Sequence, residues 1–120
     1  MRFNKRYLFL GDIHGKKTWK DSVIMALGKF TDVVFLGDYV DTRQEITPDM
    51  IINNLNEIIK LKKEYSDRIN LLLGNHDLAY VYNDPHISGF NHLHWKSYKK
   101  IFEENWDLFD LAWCYRDKND

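Results

Sequence analysis

The chain is poor in cysteine and proline, with one Cys and two Pro in 120 residues. A lone Cys114 closes no internal disulfide, so the fold must hold by packing, and the thiol reads as a small buried hydrophobe in a reducing cytoplasm. An excess of either charge is also missing. Seventeen Lys and Arg against 18 Asp and Glu give a formal net charge of −1. That balance argues against holding nucleic acid or an acidic membrane by bulk electrostatics. Long apolar runs are missing too. Val33-Val34-Phe35-Leu36 and Leu78-Ala79-Tyr80-Val81-Tyr82 are typical, and a bilayer span needs roughly 20 residues. The basic start Met1-Arg2-Phe3-Asn4-Lys5-Arg6 precedes only four apolar residues before Gly11-Asp12, too few for a signal peptide. No internal repeat, low-complexity segment or linker interrupts the chain.

What is present suits one packed domain, with 44% of residues hydrophobic and 29% charged. Three short apolar runs each end in glycine. Tyr7-Leu8-Phe9-Leu10 leads into Gly11, Val33-Val34-Phe35-Leu36 into Gly37, and Ile69-Asn70-Leu71-Leu72-Leu73 into Gly74. Such runs read as strands buried on both faces of a parallel sheet. Helical periodicity lies between them. Trp19, Val23, Ala26 and Leu27 mark a helix over 18–27 that stops at Gly28. Ile51, Leu55, Ile58, Ile59 and Leu61 mark a second over 48–65, with Thr47 as N-cap and Pro48 at the first position. The pattern predicts an α/β fold with a mostly parallel sheet flanked by helices. Residues 83–91 read as loop and 92–105 as a third helix with Trp95, Tyr98, Ile101 and Phe102 facing the core. A strand follows at 111–115. The aromatic series Trp95, Tyr98, Phe102, Trp106 reads as a core stripe, not a base-stacking platform. Lys60, Lys62, Lys63 and Arg68 read as the solvated end of a helix.

The chemistry lies at the strand ends, where ligands of open α/β sheets bind. Asp12 and His14 are two apart and can point the same way from an extended segment. Asp38 offers a carboxylate from the next strand and Asn75 an amide oxygen from the third. Carboxylate, imidazole and amide oxygen together suit a divalent ion such as Mn, Fe or Zn. One Gly-Asp turn would be an ordinary βα turn; three with complementary donors point to a metal site.

Gly11-Asp12-Ile13-His14-Gly15, Gly37-Asp38-Tyr39-Val40-Asp41 and Gly74-Asn75-His76-Asp77 resemble, in order and spacing, the three N-terminal motifs of the calcineurin-like metallophosphoesterases. That superfamily includes the serine/threonine protein phosphatases and the diadenosine tetraphosphate hydrolases. The resemblance implies two divalent metals, manganese first and Fe or Zn as alternatives. Asp12 and His14 would bind the first, Asp38 would bridge both, and Asn75 would bind the second. It implies hydrolysis of a phosphate ester, on a protein or a small molecule, by a metal-bridging hydroxide. His76 would protonate the leaving oxygen as general acid, and Asp41 would accept its other ring N–H. Asp77 reads as a structural acceptor that caps the following turn.

The chain departs from the family pattern in two places. Protein phosphatases usually follow the second motif's last Asp with Arg and Gly, whereas here Thr42 intervenes and Arg43 comes one place late. Arg43 is therefore open between a phosphate clamp and a solvated surface arginine. Gly15 tilts toward the phosphatase branch, because the superfamily's DNA nucleases usually lack that glycine. The family also completes its metal sites with histidines on later strands that this chain does not include. The resemblance thus implies that 1–120 is a single, C-terminally truncated domain, the N-terminal half of the family's four-layer sandwich, with the second metal site incomplete. His92-Leu93-His94 has the spacing of a late metal pair but sits at a helix start, where surface histidines are the default. The competing expectation is a non-catalytic remnant that acts through binding or needs another chain. An open apolar strand at 111–115 would invite self-association.

Overall fold

The computed structural model describes residues 5–113. In chain order the elements are β1 (Arg6–Leu10), α1 (Trp19–Gly28), β2 (Thr31–Phe35), α2 (Pro48–Glu64), β3 (Ile69–Leu72), α3 (Asn75–Val81), α4 (Trp95–Glu104) and β4 (Phe109–Asp110). A short 3₁₀ turn, Trp106–Leu108, precedes β4. The strands form one sheet in the order β1-β2-β3-β4, every pair parallel. The α/β reading therefore holds. Among the described residues no helix is long and apolar enough to cross a membrane.

Register places the site. Leu10 pairs with Phe35, Phe35 with Leu71, and Leu71 with Phe109. The carboxyl ends of β1, β2 and β3 are thus level, and the loops that follow emerge side by side. Because side chains alternate across a strand, Leu8, Leu10, Val33, Phe35, Ile69, Leu71 and Phe109 share one face. There they pack with Trp19 and Val23 of α1, Ile51, Leu55 and Ile58 of α2, and Tyr98 and Phe102 of α4. Each fully buried side chain of this size contributes about 1.5–3 kcal/mol by transfer from water, which is what holds the strand ends in line.

α1 and α2 start where expected, whereas α4 starts at Trp95 and not at 92. Thr47 Oγ1 accepts from Met50 N at 3.2 Å, and Pro48 opens α2. A buried polar link joins the helices across the core: Trp19 Nε1 donates to Asn54 Oδ1 at 2.9 Å, and Asn54 Nδ2 donates to Lys16 O at 3.1 Å.

Several expectations are corrected. β1 is not buried on both faces: it is the sheet edge, and Phe9 is 51% exposed. The outer face there is partly covered by Trp113, whose ring meets those of Tyr7 and Phe9 edge-on at 4.9 and 5.4 Å. The run after Gly74 becomes helix α3, because Asp77 in its first turn accepts from Gly74 N and so caps its start. The last strand is Phe109–Asp110, not 111–115. Phe109 is the residue that packs on Tyr39 and Phe102, so pairing starts there, while 111–113 are irregular and Leu111 is 63% exposed. The rest of that expected strand lies outside the described residues. Trp106 leaves the core stripe because α4 ends at Glu104 and the 3₁₀ turn swings it outward. Lys62 and Arg68 are not merely solvated. Lys62 Nζ donates to Ser66 O and Ile69 O, both at 2.7 Å, and Arg68 Nη2 donates to Leu27 O and Thr31 O at 3.0 and 3.3 Å. They close the loop that feeds β3.

Candidate active site

Three strand-end loops are bound to one another by main-chain and carboxylate hydrogen bonds. His14 N donates to Asp38 O at 2.8 Å, and Gly15 N to Tyr39 O at 3.0 Å, joining the first loop to the second. Asp77, fully buried, joins the second to the third. Its carboxylate accepts from Asp38 N at 2.7 Å, Tyr39 N at 2.9 Å and Gly74 N at 2.9 Å. Burial pushes the Asp77 carboxyl up to about 7, while its three N–H donors pull the other way. The expected structural role of Asp77 is therefore present and wider than one turn.

The backbone at these loops is unusual. Asp12, His14, Asp38 and Asp41 all take positive φ, at 51°, 44°, 56° and 65°. Residues with side chains adopt that region only where their surroundings enforce it, and such positions cluster at functional sites. Gly37, at φ 100°, lies against the Gly74 backbone with no room for a Cβ, and a Cβ on Gly74 would overlap the Asp38 carboxylate.

Asp12, His14 and Asp38 come together, and one donor atom of each lies within 4.8 Å of the others. His14 Nδ1 is 3.0 Å from both Val40 O and Asp41 O. Carbonyls accept only, so Nδ1 is a donor, and in the neutral ring Nε2 is the nitrogen that carries the lone pair. Nε2 faces the Asp12 carboxylate at 3.6 Å. A metal-binding histidine needs this arrangement, with one ring nitrogen fixed by a carbonyl and the other offered to the cation. Two carboxylates and one imidazole fit a divalent ion. Asp38 Oδ1 also accepts from His76 N at 3.0 Å, which fixes the carboxylate.

His76 stands beside this cluster, its ring 5.2 Å from that of His14. Its Nδ1 meets Asp41 Oδ2 at 2.8 Å. The other Asp41 oxygen accepts from the Tyr80 hydroxyl, which in turn accepts from Asn91 N at 2.7 Å. Asp41 is pushed up by burial and held down by the Tyr80 and His76 hydrogen bonds. Tyr80 is fixed by Phe90 stacked at 4.5 Å and Tyr98 edge-on at 5.1 Å.

A hollow of about 360 Å³ opens over these groups, lined by Asp12, His14, Lys16, Asp41, Arg43 and His76 among others. Arg43 thus reaches the hollow despite its shifted position in sequence. Asn75 is placed differently. It is exposed at the start of α3 and lines a second hollow with Leu78, Tyr82 and His86. Two residues escaped the sequence reading. Tyr80 reads as one more apolar residue of a short run, and only its spacing from His76, one helical turn, could have suggested it. Lys16 follows Gly15 directly and carries no signal beyond its charge. His92 and His94 are not part of the Asp12–His14–Asp38 cluster.

The family model for calcineurin-like phosphoesterase matches residues 5–118. No solved structure matches the chain.

Proposed function

The chain belongs to the calcineurin-like phosphoesterase family, and from that premise we propose that it hydrolyses phosphate esters in a metal-dependent reaction with His76 as general acid. The observation that carries this reading is the hydrogen-bonded series Tyr80–Asp41–His76 beside the Asp12–His14–Asp38 cluster. Asp12, His14 and Asp38 would hold the first cation, and Asp38 with Asn75 the second. Manganese is the cation we favour, with iron or zinc as alternatives, because the donors are mainly oxygen with one imidazole. When bound, such cations supply positive charge against the phosphoryl oxygens and acidify water.

The chain's own residues supply the rest. Asp41 accepts the Nδ1 proton of His76, so the ring's second proton sits on Nε2, at the hollow. The buried carboxylate favours the imidazolium, and Tyr80 keeps that carboxylate aimed. His76 Nε2 then gives its proton to the departing ester oxygen and recovers one from water. The substrate is a phosphorylated protein or small molecule.

The test is hydrolysis of aryl and alkyl phosphates by the manganese-loaded chain. Asp38→Asn should lower kcat about 100-fold or more, and His76→Asn should slow alkyl esters more than p-nitrophenyl phosphate, whose leaving group needs no proton. Unchanged rates in either variant would overturn the reading. The exposed placement of Asn75 favours a second reading, a chain that holds one cation and acts through binding. Metal content separates the two: about two manganese ions per chain support hydrolysis at a paired site, and one ion with no turnover supports binding.

A further inference from the structure

Two cationic residues line the active-site hollow, and the reaction above leaves them without a task. Lys16 and Arg43 line the hollow with Asp12, His14, Asp41 and His76. Among the described residues Lys5, Lys20, Arg68, Lys99 and Lys100 are paired with carboxylates. Lys16 and Arg43 are not. The acids of the hollow are already engaged: Asp41 by His76 and Tyr80, and Asp12 within the cluster it forms with His14 and Asp38. Two cationic residues therefore line the space where a substrate would sit, and among the described residues neither is paired with a carboxylate.

Lys16 is the better fixed of the two. Its N–H donates to Ile13 O at 2.8 Å, and its carbonyl accepts from Asn54 Nδ2 at 3.1 Å. Asn54 is fully buried and is itself held by Trp19 Nε1 at 2.9 Å. The lysine is thus anchored to the core on both sides of its Cα, and the partly buried residue lines the hollow. Arg43 sits on an exposed stretch of the second loop.

We propose that Lys16 is a specificity-determining residue, whose ammonium binds the second negative charge of a phosphomonoester dianion and so selects monoesters over diesters. The inference rests on the phosphoesterase reading above and names its substrate class. A monoester carries about −1.5 to −2 charge near neutral pH, whereas a diester carries one and brings an uncharged substituent in place of the other. Against that substituent the ammonium would lose water and gain no partner, which is discrimination by an unpaired charge.

The experiment has two arms. In the first, inorganic phosphate is titrated calorimetrically into the metal-free chain and into Lys16→Met and Lys16→Arg. Methionine should weaken phosphate binding about tenfold, the loss of one charge-assisted contact, and arginine should restore most of it. In the second, the manganese-loaded proteins hydrolyse p-nitrophenyl phosphate and bis(p-nitrophenyl) phosphate. Lys16→Met should lower the monoester-to-diester ratio of kcat/KM about tenfold, chiefly through KM for the monoester. Equal losses on both esters, or phosphate binding as tight in Lys16→Met as in the wild type, would overturn the proposal. So would a wild-type chain that binds no phosphate. If phosphate binding depends on Lys16 but no ester is hydrolysed, the anion site stands and the phosphoesterase reading fails. If esters are hydrolysed and Lys16→Met changes nothing, the reverse holds.

Discussion

Gly37 and Gly74 lie so close that neither can carry a side chain. A Cβ on Gly37 would overlap the Gly74 nitrogen, and a Cβ on Gly74 would overlap the Asp38 carboxylate. The second and third strand-end loops are in contact through bare backbone, and this contact sets where Asp38 points. Gly37→Ala adds a left-handed penalty at φ 100° to the overlap. It should destabilise the chain by about 2–4 kcal/mol in urea unfolding. Gly74→Ala should cost a similar amount and also weaken manganese binding, because the atoms its methyl displaces belong to Asp38.

Asp77 predicts a pH effect. Its folded-state carboxyl is raised by burial from 3.8 to about 7. A carboxyl with a raised folded pKa binds its proton more tightly when folded, so the stability it adds is greatest in acid and is lost as pH rises through the folded value. In the metal-free chain, the stability gap between wild type and Asp77→Asn should narrow from about pH 4 to about pH 7. Denaturant unfolding at three or four pH values measures it. The variant should be the less stable throughout, because an amide keeps one acceptor oxygen for three N–H donors.

Asp12 separates metal binding from folding. Its side chain is 85% exposed and shares a cluster with His14 and Asp38. Asp12→Asn should leave the melting temperature of the metal-free chain within about 2 °C, because asparagine tolerates the φ of 51° at this exposed position. Manganese affinity should fall about 100-fold, the loss of one of few charged donors. Calorimetric titration of the two proteins, with thermal melts run beside it, reads both numbers.

Much of this site was legible because metal chemistry needs particular donors at strand ends, and Gly-Asp turns after apolar runs mark such ends. Asp12, His14 and Asp38 converge for that reason, and His76 and Asp41 meet as the motif resemblance implied. What stayed hidden depends on distances that only packing sets. Tyr80 looks like an apolar residue until helix α3 forms and turns its hydroxyl onto Asp41. Asp77 looks local until the loops close and it accepts from residues 38 positions or more away. The sheet edge misled for a similar reason: Phe9 is apolar whether β1 is central or outermost, and sequence alone does not say which. Strand 111–115 was misplaced because Phe109, followed by Asp110, breaks the apolar run that a reader follows.

Tyr80 should act on proton transfer through Asp41 and His76. Its hydroxyl hydrogen bond lowers the Asp41 pKa, and burial raises it. Tyr80→Phe removes that donor, so the Asp41 carboxylate loses the hydrogen bond that aims it at His76. A general acid must be held over the leaving oxygen to act, so kcat on esters that need a proton should fall in the variant. At pH 8, kcat on an alkyl phosphate should drop about three- to tenfold, in the lower part of the range for proton-transfer catalysis. On p-nitrophenyl phosphate the drop should be smaller, because that leaving group departs without a proton. A purely structural role for Tyr80 would lower both substrates alike. Rates on both esters between pH 5 and 9 distinguish the two.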